Sequence, residues 1–128
     1  MKRNPDLIRQ LLLLIEDHGV EPLKGRAVKL DGHEYVEIMA HLNLLSDAAF
    51  IVAEYSRSST NPDRIIATEV VFDLSWKGHE YLDSIRDPKI WKKTKALSKK
   101  AGSVSFEFLL EIAKGVAREA LRSNGMVI

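Results

Sequence analysis

Cysteine is absent from the 128 residues. That excludes disulfides, thiolate nucleophiles, Fe–S clusters and cysteine-bound zinc, and it leads us to expect a protein of the reducing cytoplasm. Glycine and proline are scarce, at seven and four, too few for a collagen-like or low-complexity chain. No long apolar run exists. Runs such as Leu11 to Ile15 are far below the roughly 20 residues that a membrane helix needs, so no membrane association is expected. Asp6 and Arg9 interrupt the basic opening Met1-Lys2-Arg3, and no secretory signal is expected. Neither sign of charge dominates. Nineteen basic and 18 acidic residues leave +1, so no global field draws the chain to a polyanion.

The local distribution is uneven. Arg86 to Lys100 holds seven basic residues against one acid, a local +6. Asp31 to Glu54 holds five acids and no Lys or Arg, a local −5. A basic cluster can meet phosphates and an acidic helix resists them. Equally, opposite patches can be solvated faces, or can meet across a homodimer.

Periodicity and capping divide the chain into elements. Asn4-Pro5 reads as a helix start, an Asx cap followed by proline at the first helical position. Leu7, Leu11, Leu14 and Ile15 recur at helical spacing, widened by Ile8 and Leu12, until His18-Gly19. Arg26 to Leu30 alternates like a short strand, and Asp31-Gly32 signals a turn. From His33 to Asp47 the period becomes helical, with Tyr35, Ile38, Leu42 and Leu45 on one face beside Met39. Phe50–Tyr55 and Arg64–Leu74 read as strands around a polar, turn-rich segment. Ile66, Val70, Phe72 and Leu74 are expected on one face, with Thr68 the odd member. Three helices follow: one from Trp76 to Arg86 capped by Ser75, one started by Asp87-Pro88 and ended at Ala101-Gly102, and one over Phe106–Leu121 with serines at 103 and 105 before it and Asn124-Gly125 after it.

The expected fold is therefore α+β. A winged-helix-like core over residues 1–75 (helix, short strand, helix, β-hairpin) is followed by three C-terminal helices over 76–128, packed on it as a single globular unit. In a winged helix the helix before the hairpin is the usual reader of the major groove.

Three segments carry a family resemblance: the opening Met1 to Arg9 with its Leu-rich helix, Ala40-His41-Leu42-Asn43-Leu44-Leu45, and above all Leu74 to Asp87 with Trp91 four residues on. Over nearly its whole length the chain resembles the uncharacterised bacterial and phage domain-of-unknown-function family 2513. The resemblance implies a winged-helix-like fold and offers no active site to carry over. The family's usual Ala-Gly-Leu-Ile exit from the second helix is Ala48-Ala49-Phe50-Ile51 here, with alanine in place of glycine.

No enzyme is expected, and no cofactor. His33, Glu37 and His41 share a helical stripe but fall short of a metal-ligand set, and His79-Glu80 meets Asp83 where a His-Glu-x-x-His motif needs histidine. Serines 75, 103 and 105 read as caps, and Lys24-Gly25 and Lys77-Gly78 are too sparse in glycine for a phosphate loop. The candidate nucleic-acid contacts are Arg57 and Arg64 around the hairpin tip, Asn43 and His41 on the presumed recognition helix, and Lys92, Lys93 and Lys95 on the basic helix. Glu34, Glu37 and Asp47 on that recognition helix work against docking to DNA. Phe108, Ile112 and Val116 are candidates for self-association through the last helix, which can equally serve to cover its own domain. Two functions are expected from this pattern: a transcription-linked module binding double-stranded DNA, and a protein–protein adaptor without nucleic-acid contact.

Overall fold

A computed structural model describes residues 1–102 and 105–123. The elements are α1 (Pro5–His18), β1 (Leu23–Lys24), a single 3-10 turn (Gly25–Ala27), α2 (Tyr35–Asp47), β2 (Ile51–Arg57), β3 (Ile65–Leu74), α3 (Trp76–Ile85), α4 (Pro88–Ala101) and α5 (Phe106–Ser123). The strands form one antiparallel sheet in the order β1-β3-β2. The sequence of helix, short strand, helix and hairpin is winged-helix-like, and three helices follow it. The chain divides into two compact units, Met1–His79 and Glu80–Ile128. The Asn124-Gly125 stop and Ser103 lie outside the described residues.

The helix starts follow from their caps. Asn4 Oδ1 accepts the N–H groups of Asp6 and Leu7 at 3.1 and 3.3 Å. Asp87 Oδ1 accepts those of Lys89 and Ile90 at 2.8 and 3.1 Å. Each cap is followed by a proline whose missing N–H costs nothing at that position. Ser75 Oγ accepts the Gly78 N–H at 3.1 Å, opening α3. In the first unit, Leu7, Ile8, Leu11, Leu12 and Ile15 of α1 join Ile38, Leu42 and Leu45 of α2 and Val71 and Leu74 of β3 in the core. Leu14 is half-buried.

The short strand is displaced from its expected place. Leu23–Lys24 pairs with Val71 and Val70, whereas Gly25–Ala27 is the 3-10 turn and Val28–Leu30 carries no regular structure. Gly25 fixes this. A Cβ there would overlap the Thr68 carbonyl oxygen, so the backbone runs directly against β3 and turns away at once.

β3 also departs from a two-residue period. Its buried residues are Thr68, Val71 and Leu74, and Ile66 is 56% exposed. Registration against β2 explains the spacing. Leu74 faces Ile51, Val71 faces Ala53 and Thr68 faces Tyr55, while Phe72, Glu69 and Ile66 face no residue of β2. Three bulges in β3 thus insert one residue per two of the partner, and every third side chain returns to the same face. Tyr35, expected in the core, is 55% exposed because it opens α2 at its first turn.

Ala49, where the family resemblance placed glycine, has φ 60°. The left-handed conformation lets the Phe50 N–H reach the Leu45 carbonyl at 2.9 Å and redirects the chain into β2. Alanine is strained there by ~1 kcal/mol. Ala49→Gly is expected to stabilise the protein by about 1 kcal/mol and raise Tm by roughly 3–5 °C, read by thermal and urea unfolding.

Candidate nucleic-acid interface

α2 stands where a DNA-reading helix would stand, yet it carries no Lys or Arg, and its polar side chains are directed into the fold. His41 is 1% exposed. Its Nε2 accepts the Asn4 backbone N–H at 2.9 Å. That places the ring hydrogen on Nδ1, which donates to the Glu37 carbonyl at 2.8 Å. Both nitrogens are committed, so His41 is not a base contact; it joins the α1 cap to α2. The His33–Glu37–His41 stripe resolves in the same way. His33 Nδ1 and Glu37 Oε1 pair at 2.6 Å, and His41 has no lone pair left for a metal. Among the described residues no group of three or more His, Asp or Glu is placed to hold a metal ion.

Asn43 is likewise occupied. Its Nδ2 donates to the Ile66 carbonyl at 2.9 Å, and its Oδ1 accepts the Thr68 hydroxyl at 2.8 Å. With the Thr68 hydrogen used, Ser46 Oγ, 2.9 Å away, donates to Thr68 Oγ1. The amide that could have read an adenine edge therefore fastens α2 to β3. What α2 presents outward is Tyr35 and Val36, 55% and 74% exposed, with Glu34 and Asp47 also exposed.

At the hairpin tip Arg57 braces the turn. Nη1 donates to the Pro62 carbonyl at 3.0 Å, Nη2 donates to the Tyr55 hydroxyl at 3.1 Å, and the guanidinium lies 5.0 Å from the Tyr55 ring centre. Arg64 is exposed, and its guanidinium makes no hydrogen bond or ion pair among the described residues. It lines a cleft of about 290 Å³ with Ala40, Asn43, Leu44 and Asp47 of α2. The two arginines differ accordingly: Arg57 is structural, Arg64 is available.

The second unit holds the strongest charge. α4 carries six lysines and no acid. Trp91, Thr94 and Ser98 are buried at i, i+3 and i+7, and the Thr94 hydroxyl donates to the Ile90 carbonyl at 2.7 Å. This stripe turns the lysines out. Lys89, Lys92, Lys93, Lys99 and Lys100 are exposed and make no ion pair among the described residues. Lys95 is half-buried, with Nζ 5.7 Å from the Trp91 ring centre. Of the self-association candidates on α5, Val116 is 8% exposed, buried with Leu109 and Ala113. It is core of its own chain, which corrects its assignment to a second copy. Phe108 and Ile112 are half-buried.

Sequence reasoning missed Thr68, Ser46 and Gly25 as the joints of the first unit. The Asn43–Ser46 spacing gives both side chains nearly one helical face, a faint signal for a shared polar partner.

The class defined here is a winged-helix-like domain with helices added at its C-terminal end. Residues 2–105 match the family described as "Hypothetical protein (DUF2513)", and the chain belongs to that family. An uncharacterised protein of Haemophilus influenzae is 35% identical over 118 residues, covering 92% of this chain and 93% of that protein. No solved structure matches. The matched range takes in α1 to α4 and stops short of α5. No helix among the described residues is long and apolar enough to cross a membrane.

Thr68→Val keeps the side-chain shape and removes the hydroxyl that Asn43 and Ser46 share. It is expected to cost about 1–3 kcal/mol in urea unfolding, whereas Thr68→Ser, which retains the hydroxyl, recovers the polar part of that loss.

Proposed function

We propose that this chain is a non-catalytic module of the bacterial cytoplasm that grips duplex nucleic acid by its phosphates, through α4, rather than by reading bases with α2. The observation that carries this is the lysine face of α4, with six cations, no carboxylate on the same helix and five of the cations unpaired among the described residues. At 1.5 Å per residue, Lys89 to Lys100 spans about 16 Å, enough for one helix to meet several phosphates. Trp91 of α4 is buried and Leu97 is the large apolar side chain that it exposes, at 39%, so the helix has little to insert into a bilayer, which favours a nucleic acid over a lipid surface. Arg64 at the hairpin tip is a further cation suited to such a contact. The occupied side chains of His41 and Asn43 argue that recognition is of backbone and not of sequence.

A second reading, a protein adaptor without nucleic-acid contact, is favoured by exposed Tyr35 and Val36 beside Glu34 at the start of an α2 that lacks cations. An apolar pair rimmed by carboxylate suits a protein surface and repels phosphate.

Titration of a labelled 20-base-pair duplex, followed by anisotropy at several salt concentrations, separates the two. The phosphate reading expects log K to fall by about 4 per decade of salt. Lys92→Ala with Lys93→Ala is expected to lower that slope by ~2, equally for unrelated sequences. Absence of binding at low salt overturns the nucleic-acid reading and leaves the adaptor.

A further inference from the structure

The two edges of the sheet are treated differently. On the β1 side, the outer strand is two residues long and ends in Lys24. Beyond it, β3 is covered: the Ile66 carbonyl takes the Asn43 amide, and Gly25 lies against the Thr68 carbonyl. Short strands, lysine and covering backbone are the usual protections of an edge. On the other side, β2 runs for seven residues and is paired, among the described residues, with β3 alone. It contains no proline and no lysine. No backbone group on its outer side is hydrogen-bonded among the described residues, and Val52, Glu54, Tyr55 and Arg57 are exposed along it. The bulges lie in β3, so β2 itself keeps regular alternation, with Ala53, Tyr55 and Arg57 on one face and Val52, Glu54 and Ser56 on the other.

We infer that β2 is the interface for a second copy of this chain, joined edge to edge as antiparallel β2–β2′ strands around a two-fold axis through Tyr55. Such an axis stands perpendicular to the sheet and sets one residue against its own copy. Centring on Glu54 places two carboxylates directly opposite, which is unfavourable. Centring on Ser56 leaves little of the strand paired before the turn. Centring on Tyr55 pairs 53 to 57 completely. It sets Tyr55 against Tyr55′, Glu54 against the Ser56′ hydroxyl, and Ala53 against Arg57′. The Arg57 guanidinium, already 5.0 Å from its own Tyr55 ring, then lies diagonal to the partner ring, extending the cation–π contact across the interface. The occupant is thus complementary because it is the same strand. This interface is independent of what α4 binds.

The full chain tests it. Sedimentation equilibrium is expected to show a two-chain mass as concentration rises. Tyr55→Lys places two ammonium groups on the axis and is expected to raise the dimer Kd by about tenfold or more. The natural chain has no cysteine, so one introduced thiol reports one position. Directly opposed residues of antiparallel strands lie ~4.5–5.5 Å apart at Cα, inside the window of about 4.4–6.8 Å for a disulfide. Under mild oxidation Tyr55→Cys is expected to cross-link roughly tenfold or more faster than Val20→Cys, an exposed site in the α1–β1 connection. A one-chain mass at every concentration overturns the inference. So does cross-linking of Tyr55→Cys no faster than that of Val20→Cys, even if a dimer exists. The cross-linking comparison decides the matter should Tyr55→Lys fail to fold.

Discussion

Thr68 is where the first unit is fastened. It is a hydroxyl residue, fully buried, on a strand that is otherwise apolar wherever it turns inward. An unsatisfied hydroxyl at such depth costs several times what a satisfied one contributes. Asn43 and Ser46 meet that demand from α2, and Asn43 extends the link to the Ile66 carbonyl. The same residue's carbonyl admits no Cβ at Gly25, so the β1 connection is tied to it as well. One side chain and its backbone thereby set the rotation of α2, the approach of the 3-10 turn and the register against Tyr55. Such a polar joint fixes orientation in a way that leucine contacts alone do not, because it tolerates only one rotation of the helix.

That joint decides what α2 can do. A recognition helix needs free amides and cations on its outer side. Here the amide is inside, the imidazole of His41 clasps the α1 cap, and the outer side carries Tyr35, Val36 and carboxylates. Positive charge is concentrated on α4 in the other unit. In a winged helix the helix usually reads bases and the wing holds phosphates; α2 of this chain has no Lys or Arg, and its Asn43 amide and His41 ring are hydrogen-bonded within the fold. A backbone grip by a lysine helix needs no base reader, and it suits exposed cations such as Lys89, Lys92, Lys93, Lys99 and Lys100, which make no ion pair among the described residues.

Local signals were legible wherever chemistry is local. Asn4-Pro5, Asp87-Pro88 and Ser75 announce their helices because a cap is a short-range hydrogen bond. The amphipathic stripes of α1 and α5, the hairpin and the basic face of α4 could also be read directly. What stayed hidden depends on partners distant in sequence. Three bulges turn β3 from a two-residue to a three-residue period, and no propensity of Ile66, Glu69 or Phe72 marks them as unopposed. Lys24-Gly25 looks like any loop until Thr68 lies beneath it. Of the candidate site residues, Lys92, Lys93 and Arg64 are placed where a ligand could reach them, while His41, Asn43 and Val116 are structural. Residue type cannot separate these cases, since a histidine or asparagine on an amphipathic helix serves a core joint as readily as a base edge.

Ala49 shows how the helix and the hairpin are coupled. Leaving α2 for β2 requires a left-handed residue, and the chain accepts an alanine there. It can do so because the exit is held at several points: the Phe50 N–H on the Leu45 carbonyl, the Ser75 N–H on the Phe50 carbonyl, and Lys77 over the Phe50 ring at 4.8 Å. Gly78 belongs to the same arrangement, since a Cβ there would overlap the Phe50 carbonyl. The strain at Ala49 is thus opposed by contacts from the start of α3, beyond the hairpin. Both ends of the β2–β3 ribbon meet at Phe50, and the ribbon leaves that knot with a fixed direction. The bulges along the ribbon add twist, but they lie in β3, so β2 keeps its alternation of side chains while its direction is set at the base.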